Sequence, residues 1–191
     1  MRSPMLILVL GLCAAAAAAA PDDPKTRLED GEVTVTLRPI AGSSLPEVTA
    51  RGLIEAPAER IWAIIEDCGQ FAKTMQHIAR SRELSRQGQT VVCEVEISLP
   101  PPLANLVGVT QAVHVVGPPK WSRTWRLLRG DYLVNEGSWT LTRYADDPRR
   151  TLAVYRVHAV PKTHLPDALL RYEQRHALPE LFRHLRQITK G

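Results

Sequence analysis

Apolar and polar residues alternate along Glu32-Val-Thr-Val-Thr-Leu37, and the β-branched content of that run predicts a strand. After the turn-forming Gly42-Ser-Ser44, a second strand is expected over residues 48–54. The period then changes. Pro57, Glu59, Ile61, Trp62, Ile64 and Ile65 predict a helix over 57–67, with the proline in its first turn and the carboxylate near the positive end of its dipole. Cys68-Gly69 ends it, and a shorter helical piece follows around Phe71–Met75. Strands are then expected at 78–86, 90–99, 108–117, 121–129, 132–144 and 150–160. The breaks between them hold residues that tight turns select, as in Gly117-Pro-Pro119 and Gly130-Asp131. Strands joined by links this short pair antiparallel. From Pro166 a helical period returns, with Leu169, Tyr172, His176, Leu181, Leu185 and Ile188 on one face. Pro179 should kink or divide that helix.

Alternate residues of a strand face opposite sides of its sheet. Val91, Cys93, Val95, Ile97 and Leu99 form one apolar set; Leu133, Trp139 and Leu141 form another, and Ala153, Tyr155, Val157 and Ala159 a third. Such sets either fill an ordinary core or line a concave wall. Trp121, Arg123 and Trp125 share one face, which leaves two readings of the arginine. It is a polar anchor inside an apolar pocket, or an outward side chain stacked on exposed indoles. One of Asn135 and Glu136, adjacent in mid-strand, should also point inward.

The start of the chain says where the protein works. Met1-Arg2, an apolar run from Met5 to Ala14 and an alanine tract ending at Ala20-Pro21 make a secretory signal peptide, cleaved near Ala20. Residues 1–20 are read as that signal, 21–30 as a polar, proline-broken flexible leader, and 31–191 as a single domain. The expected location is therefore periplasmic or secreted, and the alanine-rich signal and arginine-heavy composition suit a bacterium. Losing the signal removes one charge, Arg2, so an excess of 24 basic over 20 acidic residues falls from +4 to +3. That mild, dispersed excess gives no footprint for nucleic acid. Cys13 leaves with the signal. Cys68 and Cys93 remain, to be bridged in an oxidising compartment or to stay buried and free.

Leu53–Asp67, with its strand, break and Ala-Pro-Ala-Glu helix start, is followed by Gly137-Ser-Trp139-Thr-Leu141 and Thr151-Leu-Ala-Val-Tyr155, then by Pro161 and Pro166 ahead of the last helix. In this order the motifs resemble the START-like (SRPBCC) superfamily, which includes polyketide cyclase/dehydrase and coenzyme Q-binding START-type members. The resemblance covers residues 48 to 189. It implies an α+β helix-grip fold: a curved antiparallel β-sheet gripping a long C-terminal α-helix, with two short helices after the first core strand. It also implies a cavity between sheet and helix. Candidate lining residues are Met75, Val95, Ile97, Leu99, Leu103 and Leu106, then Arg123, Trp125, Trp139 and Tyr155 from later strands, and Leu169 and Tyr172 from the helix. The segment around Phe71–Met75 and the proline-rich Leu99–Leu106 should face the cavity mouth, Leu103 and Leu106 serving either as a lid or as part of the core.

Two functions follow from that resemblance. The first is a non-catalytic carrier holding a lipid or isoprenoid-like molecule. The second is an aromatase/cyclase-type enzyme in the same cavity, for which Arg123, Glu136 and Tyr155 would orient substrate and move protons. Other chemistry finds little purchase. The six histidines lack metal-ligand spacing, no serine sits in a Gly-x-Ser-x-Gly elbow, and no glycine-rich phosphate loop is present. No metal and no cofactor is expected. The partners expected are a hydrophobic small molecule or lipid and, transiently, a membrane surface; nucleic acid is not among them, and the protein is read as a monomer.

Overall fold

The computed structural model describes residues 23–190, at residues 167, 168 and 171–175 by their backbone alone; the signal-peptide reading of residues 1–20 lies outside them. Eight strands pair antiparallel: β1 (Thr34–Arg38), β2 (Glu47–Ile54), β3 (Ile78–Gln87), β4 (Thr90–Ile97), β5 (Leu106–Val115), β6 (Lys120–Gly130), β7 (Tyr132–Tyr144) and β8 (Asp147–Pro161). Their order in the sheet is β1-β2-β8-β7-β6-β5-β4-β3. From β2 the chain crosses to the far edge and then returns strand by strand until β8 closes against β2. The crossing is made by α2 (Ala58–Glu66), a 3-10 turn (Cys68–Gln70) and α3 (Phe71–Thr74). The long helix α4 (Asp167–Ile188) ends the fold. This is the helix-grip architecture expected from the sequence.

Several details differ from expectation. Pro24–Glu29, read as part of a flexible leader, forms a short helix α1: Asp23 caps it by accepting the Lys25 N–H, and Pro24 occupies the first position, where no N–H is needed. Pro57 stands just outside α2 as its N-cap. Pro179 lies inside a continuous α4 and does not divide it. Leu133 is 66 % exposed and Tyr132 is buried in its place, because the β7–β8 register slips between Tyr132 and Val134 and reverses the alternation there. Among the described side chains of α4, Phe182 and Leu185 are buried, as is Thr189 at its C-cap, whereas Ile188 is exposed.

Phe182 sets how closely α4 approaches the sheet. It is fully buried, and a Cβ on Gly52 of β2 would come within 2.7 Å of its ring. Polar ties hold the same end of the helix. Arg186 Nε donates to the Leu53 carbonyl at 2.8 Å, Arg60 Nη1 to the Thr189 carbonyl at 3.1 Å, and His184 Nε2 to the Thr74 carbonyl at 3.0 Å. Helix α2 buries Ala58, Ile61, Trp62 and Ile65 in the core cluster that also holds Phe182, Trp139 and Leu141. On β8, buried His158 takes Ser43 Oγ at 2.8 Å and fastens the β1–β2 loop.

Gly137 of the Gly-x-Trp-x-Leu run is needed for space. A Cβ there would lie 2.2 Å from the Arg156 carbonyl oxygen and 2.4 Å from the Trp125 indole. Gly137→Ala should therefore destabilise the domain by about 1–3 kcal/mol, the range for overpacking a tight site. Urea denaturation of the two proteins checks this, and an unchanged midpoint would refute it.

Candidate functional site

Between the concave face of the sheet and α4 lies a cavity of about 330 Å³, at the small end of the range for small-molecule sites. Its aromatic wall follows from strand register. Trp139 pairs with Arg123 on one side and Tyr155 on the other, while Trp125 pairs with Gly137. The rings pack in a row: Trp125 and Tyr155 have centroids 5.8 Å apart, Tyr155 and Trp139 4.6 Å, and Trp139 and Phe182 5.8 Å. Ala177, Leu178 and Leu181 of α4 face this wall, within the five residues before the anchored Phe182. Met75, Gln76, His77 and Ile78 line the cavity from the link after α3, where His77 adopts a left-handed φ of 59°.

Few polar groups reach into this space. Arg123 is 4 % exposed; its Nη1 donates to His114 Nε2 at 2.8 Å, its Nη2 to Cys93 Sγ at 3.1 Å, and it lies 5.5 Å from the centroid of the Phe71 ring. Because a guanidinium only donates, His114 Nε2 must accept, which leaves the proton on Nδ1. That Nδ1 is buried without a hydrogen-bond partner. Burial, aided by the Arg123 charge, pushes the His114 pKa down to about 4. Burial also lowers Arg123 to about 10, still charged at neutral pH. It pushes Tyr132 up to about 12 and Tyr155 strongly upward, so both phenols stay protonated. Asn135 accepts from Trp125 Nε1 at 3.0 Å and so fixes that indole.

Of the residues the sequence nominates, Met75, Val95, Ile97, Arg123, Trp125, Trp139 and Tyr155 share this cavity. Arg123 points inward, and of the adjacent pair Asn135 lines the cavity whereas the Glu136 side chain is 60 % exposed. Leu99, Leu103 and Leu106 lie outside the lining, in a second apolar cluster with Tyr132 and Leu165. Leu106 begins β5 and is 6 % exposed, so it belongs to the sheet rather than to a flap. Asn105 ties the loop down by accepting the Leu99 N–H at 3.1 Å and donating to Glu96 at 2.8 Å. Leu169 is half-buried outside the lining, and the Tyr172 side chain lies outside the described residues. Sequence reasoning passed over Tyr132, hidden by the β7 register slip, and Leu178, although Leu178, Leu181, Phe182 and Leu185 keep helical spacing.

Cys68 and Cys93 form a disulfide. It fastens the 3-10 turn ahead of α3 to β4, behind Arg123, and so holds Phe71 over the guanidinium. Among the described residues no three His, Cys, Asp or Glu side chains gather as a metal site.

The neutral, buried His114 gives stability a pH dependence of definite sign. Its folded pKa of about 4 lies below the ordinary 6.5, so the unfolded chain takes up a proton first on acidification. This contribution is complete above about pH 6.5 and is lost as pH falls towards 4. His114→Gln should flatten that part of the profile, as measured by thermal midpoint against pH; an identical slope in the variant would contradict the assignment.

No curated protein matches this chain. Among solved structures it is similar to the STAR-related lipid transfer protein (fragment 25–204) of Xanthomonas axonopodis, at 24 % identity and a TM-score of 0.67, over 81 % of this chain and 94 % of that one. It is similar also to human StAR-related lipid transfer protein 5, at 13 % identity and a TM-score of 0.72, over 84 % and 82 %. The Zhui aromatase/cyclase of Streptomyces sp. R1128 aligns at 15 % identity and a TM-score of 0.52, over 75 % and 82 %. At these identities the likeness is one of fold. The family model for polyketide cyclase/dehydrase and lipid transport matches residues 54–186, and with the helix-grip sheet it makes this chain a member of that family, within the START-like (SRPBCC) superfamily.

Proposed function

We propose that this chain is an exported, non-catalytic carrier that shelters an apolar small molecule, lipid or isoprenoid-like, between its sheet and α4. The observation that carries this reading is the cavity itself, walled by Trp125, Trp139 and Tyr155 on one side and Leu178 and Leu181 on the other. Each methylene moved from water into such a space gains about 0.8 kcal/mol, so eight of them supply roughly 6 kcal/mol before the cost of association. Structures of similar fold that are named as lipid transfer proteins support the same reading. The protein would act as a monomer in the periplasm or outside a bacterial cell, meeting a membrane surface only while loading or unloading.

A cyclase-type enzyme is the second reading, favoured by one observation: Arg123 and Tyr155, two of the three nominated groups, line the same cavity. The carrier reading is stronger because the third, Glu136, faces solvent. The buried phenols that line the cavity, Tyr132 and Tyr155, are also pushed upward, and His114 behind Arg123 downward. General acid–base catalysis works best with a pKa near the operating pH.

One preparation tests location and function together. The full chain is expressed in a bacterium, recovered from the periplasm and examined by native mass spectrometry. The expected result is a mature chain beginning at Pro21 that carries a noncovalent apolar adduct, released on extraction with organic solvent. Apo protein throughout, with no quenching of tryptophan fluorescence by added lipid, would overturn the carrier reading, and retention of residues 1–20 in the cell interior would overturn export.

A further inference from the structure

Among the described residues, no carboxylate is hydrogen-bonded to or ion-paired with Arg123. Arg123 is buried at 4 % exposure and lines the cavity. Both of its hydrogen-bond acceptors are neutral: an imidazole held unprotonated by burial, and a sulfur committed to the Cys68–Cys93 disulfide. The charges it feels most are Arg86 and Glu83, which oppose each other and are paired together at 2.7 Å. Among the described residues, then, only two of its five N–H groups are engaged, and neither meets an anion. Burying a guanidinium in this way is costly, and the cost falls when an anion docks beside it.

We propose that the cavity selects apolar molecules ending in a carboxylate, with the carboxylate docked on Arg123 and the hydrocarbon laid along the Trp139–Tyr155–Trp125 wall towards Leu178 and Leu181. This rests on the carrier reading and deepens it. A hydroxyl or carbonyl terminus would accept a hydrogen bond but leave the buried charge in place. A phosphate monoester would bring more negative charge than one guanidinium offsets, and a diester's tetrahedral head does not match the planar fork as a carboxylate does. A carboxylate matches both the single charge and the planar fork of donors. The small cavity fits one chain or a compact ring system rather than a two-chain lipid. The two phenols do not compete as anions, since burial keeps Tyr132 and Tyr155 protonated.

The test is a matched pair of ligands on delipidated mature protein. Dodecanoate and 1-dodecanol share a chain and differ in the charge of the head. By isothermal titration at pH 7.4 the wild type should bind dodecanoate roughly 10- to 100-fold more tightly, the increment of a charge-assisted hydrogen bond. Arg123→Met should bring that ratio close to one, weakening dodecanoate far more than dodecanol. Arg123→Lys, which keeps the charge but loses the fork, should retain part of the preference. Equal wild-type affinities for the two ligands would overturn the carboxylate proposal and leave the carrier reading standing. Binding of neither would overturn the carrier reading and this proposal with it. A ratio unchanged in Arg123→Met would overturn the role of the arginine. Should that variant fail to fold, the wild-type ratio and Arg123→Lys still decide: no preference in the first, or an undiminished one in the second, refutes it.

Discussion

The contact between Phe182 and Gly52 sets the distance on which the rest of the structure depends. A phenyl ring seated on a glycine brings the C-terminal end of α4 down onto β2, where Leu185 and Thr189 are also fully enclosed. Arg186, Arg60 and His184 tie that end to the β2 backbone, to α2 and to the end of α3. Just before it in the chain, Ala177, Leu178 and Leu181 border the cavity where Phe182 sits in the packed core. The cavity is thus what remains when a continuous helix is fastened at one end to a twisted sheet.

The polar features of the cavity follow from the same geometry. The strand pairing that aligns Trp139 with Tyr155 also sets Arg123 beside them and His114 behind it. The disulfide holds the Phe71 segment across the sheet at this end. Asn135 fixes the Trp125 indole at the other. Apolar walls supply affinity without direction, and a few placed polar groups supply orientation. In this protein the most distinctive such group is a buried cation.

Most of the architecture was legible in the sequence because period-2 and period-3.6 patterns report directly on what a sheet or a helix must bury. All eight strands fall within a few residues of where alternation and turn residues put them, as Val91, Cys93 and Val95 on β4 illustrate. Alternation put Val95, Ile97, Trp139 and Tyr155 on apolar faces and Trp125 on the face of Arg123, and the family resemblance, not alternation, turned those faces into a cavity wall. Alternation failed where register slips: the irregularity after Tyr132 hid that residue and promoted Leu133, which points to solvent. The Leu99–Leu106 segment was misplaced for a different reason. Three prolines show that a chain leaves the sheet, but not that Asn105 pins the departing loop back and that Leu106 is already in β5. The direction of Arg123 was open because a strand of Trp, Arg and Trp reads the same from either face until the neighbouring strands are paired.

The central claim is that the space between sheet and α4 is a binding site. Photocrosslinking with a fatty acid carrying a diazirine in mid-chain, followed by peptide mapping, tests it most directly. The account predicts labels confined to the 75–78 link, to the inward residues of β6, β7 and β8, and to Ala177–Leu181. Labels on the exposed apolar residues of the outer face, such as Leu128 and Leu133, with none on those segments, would contradict it.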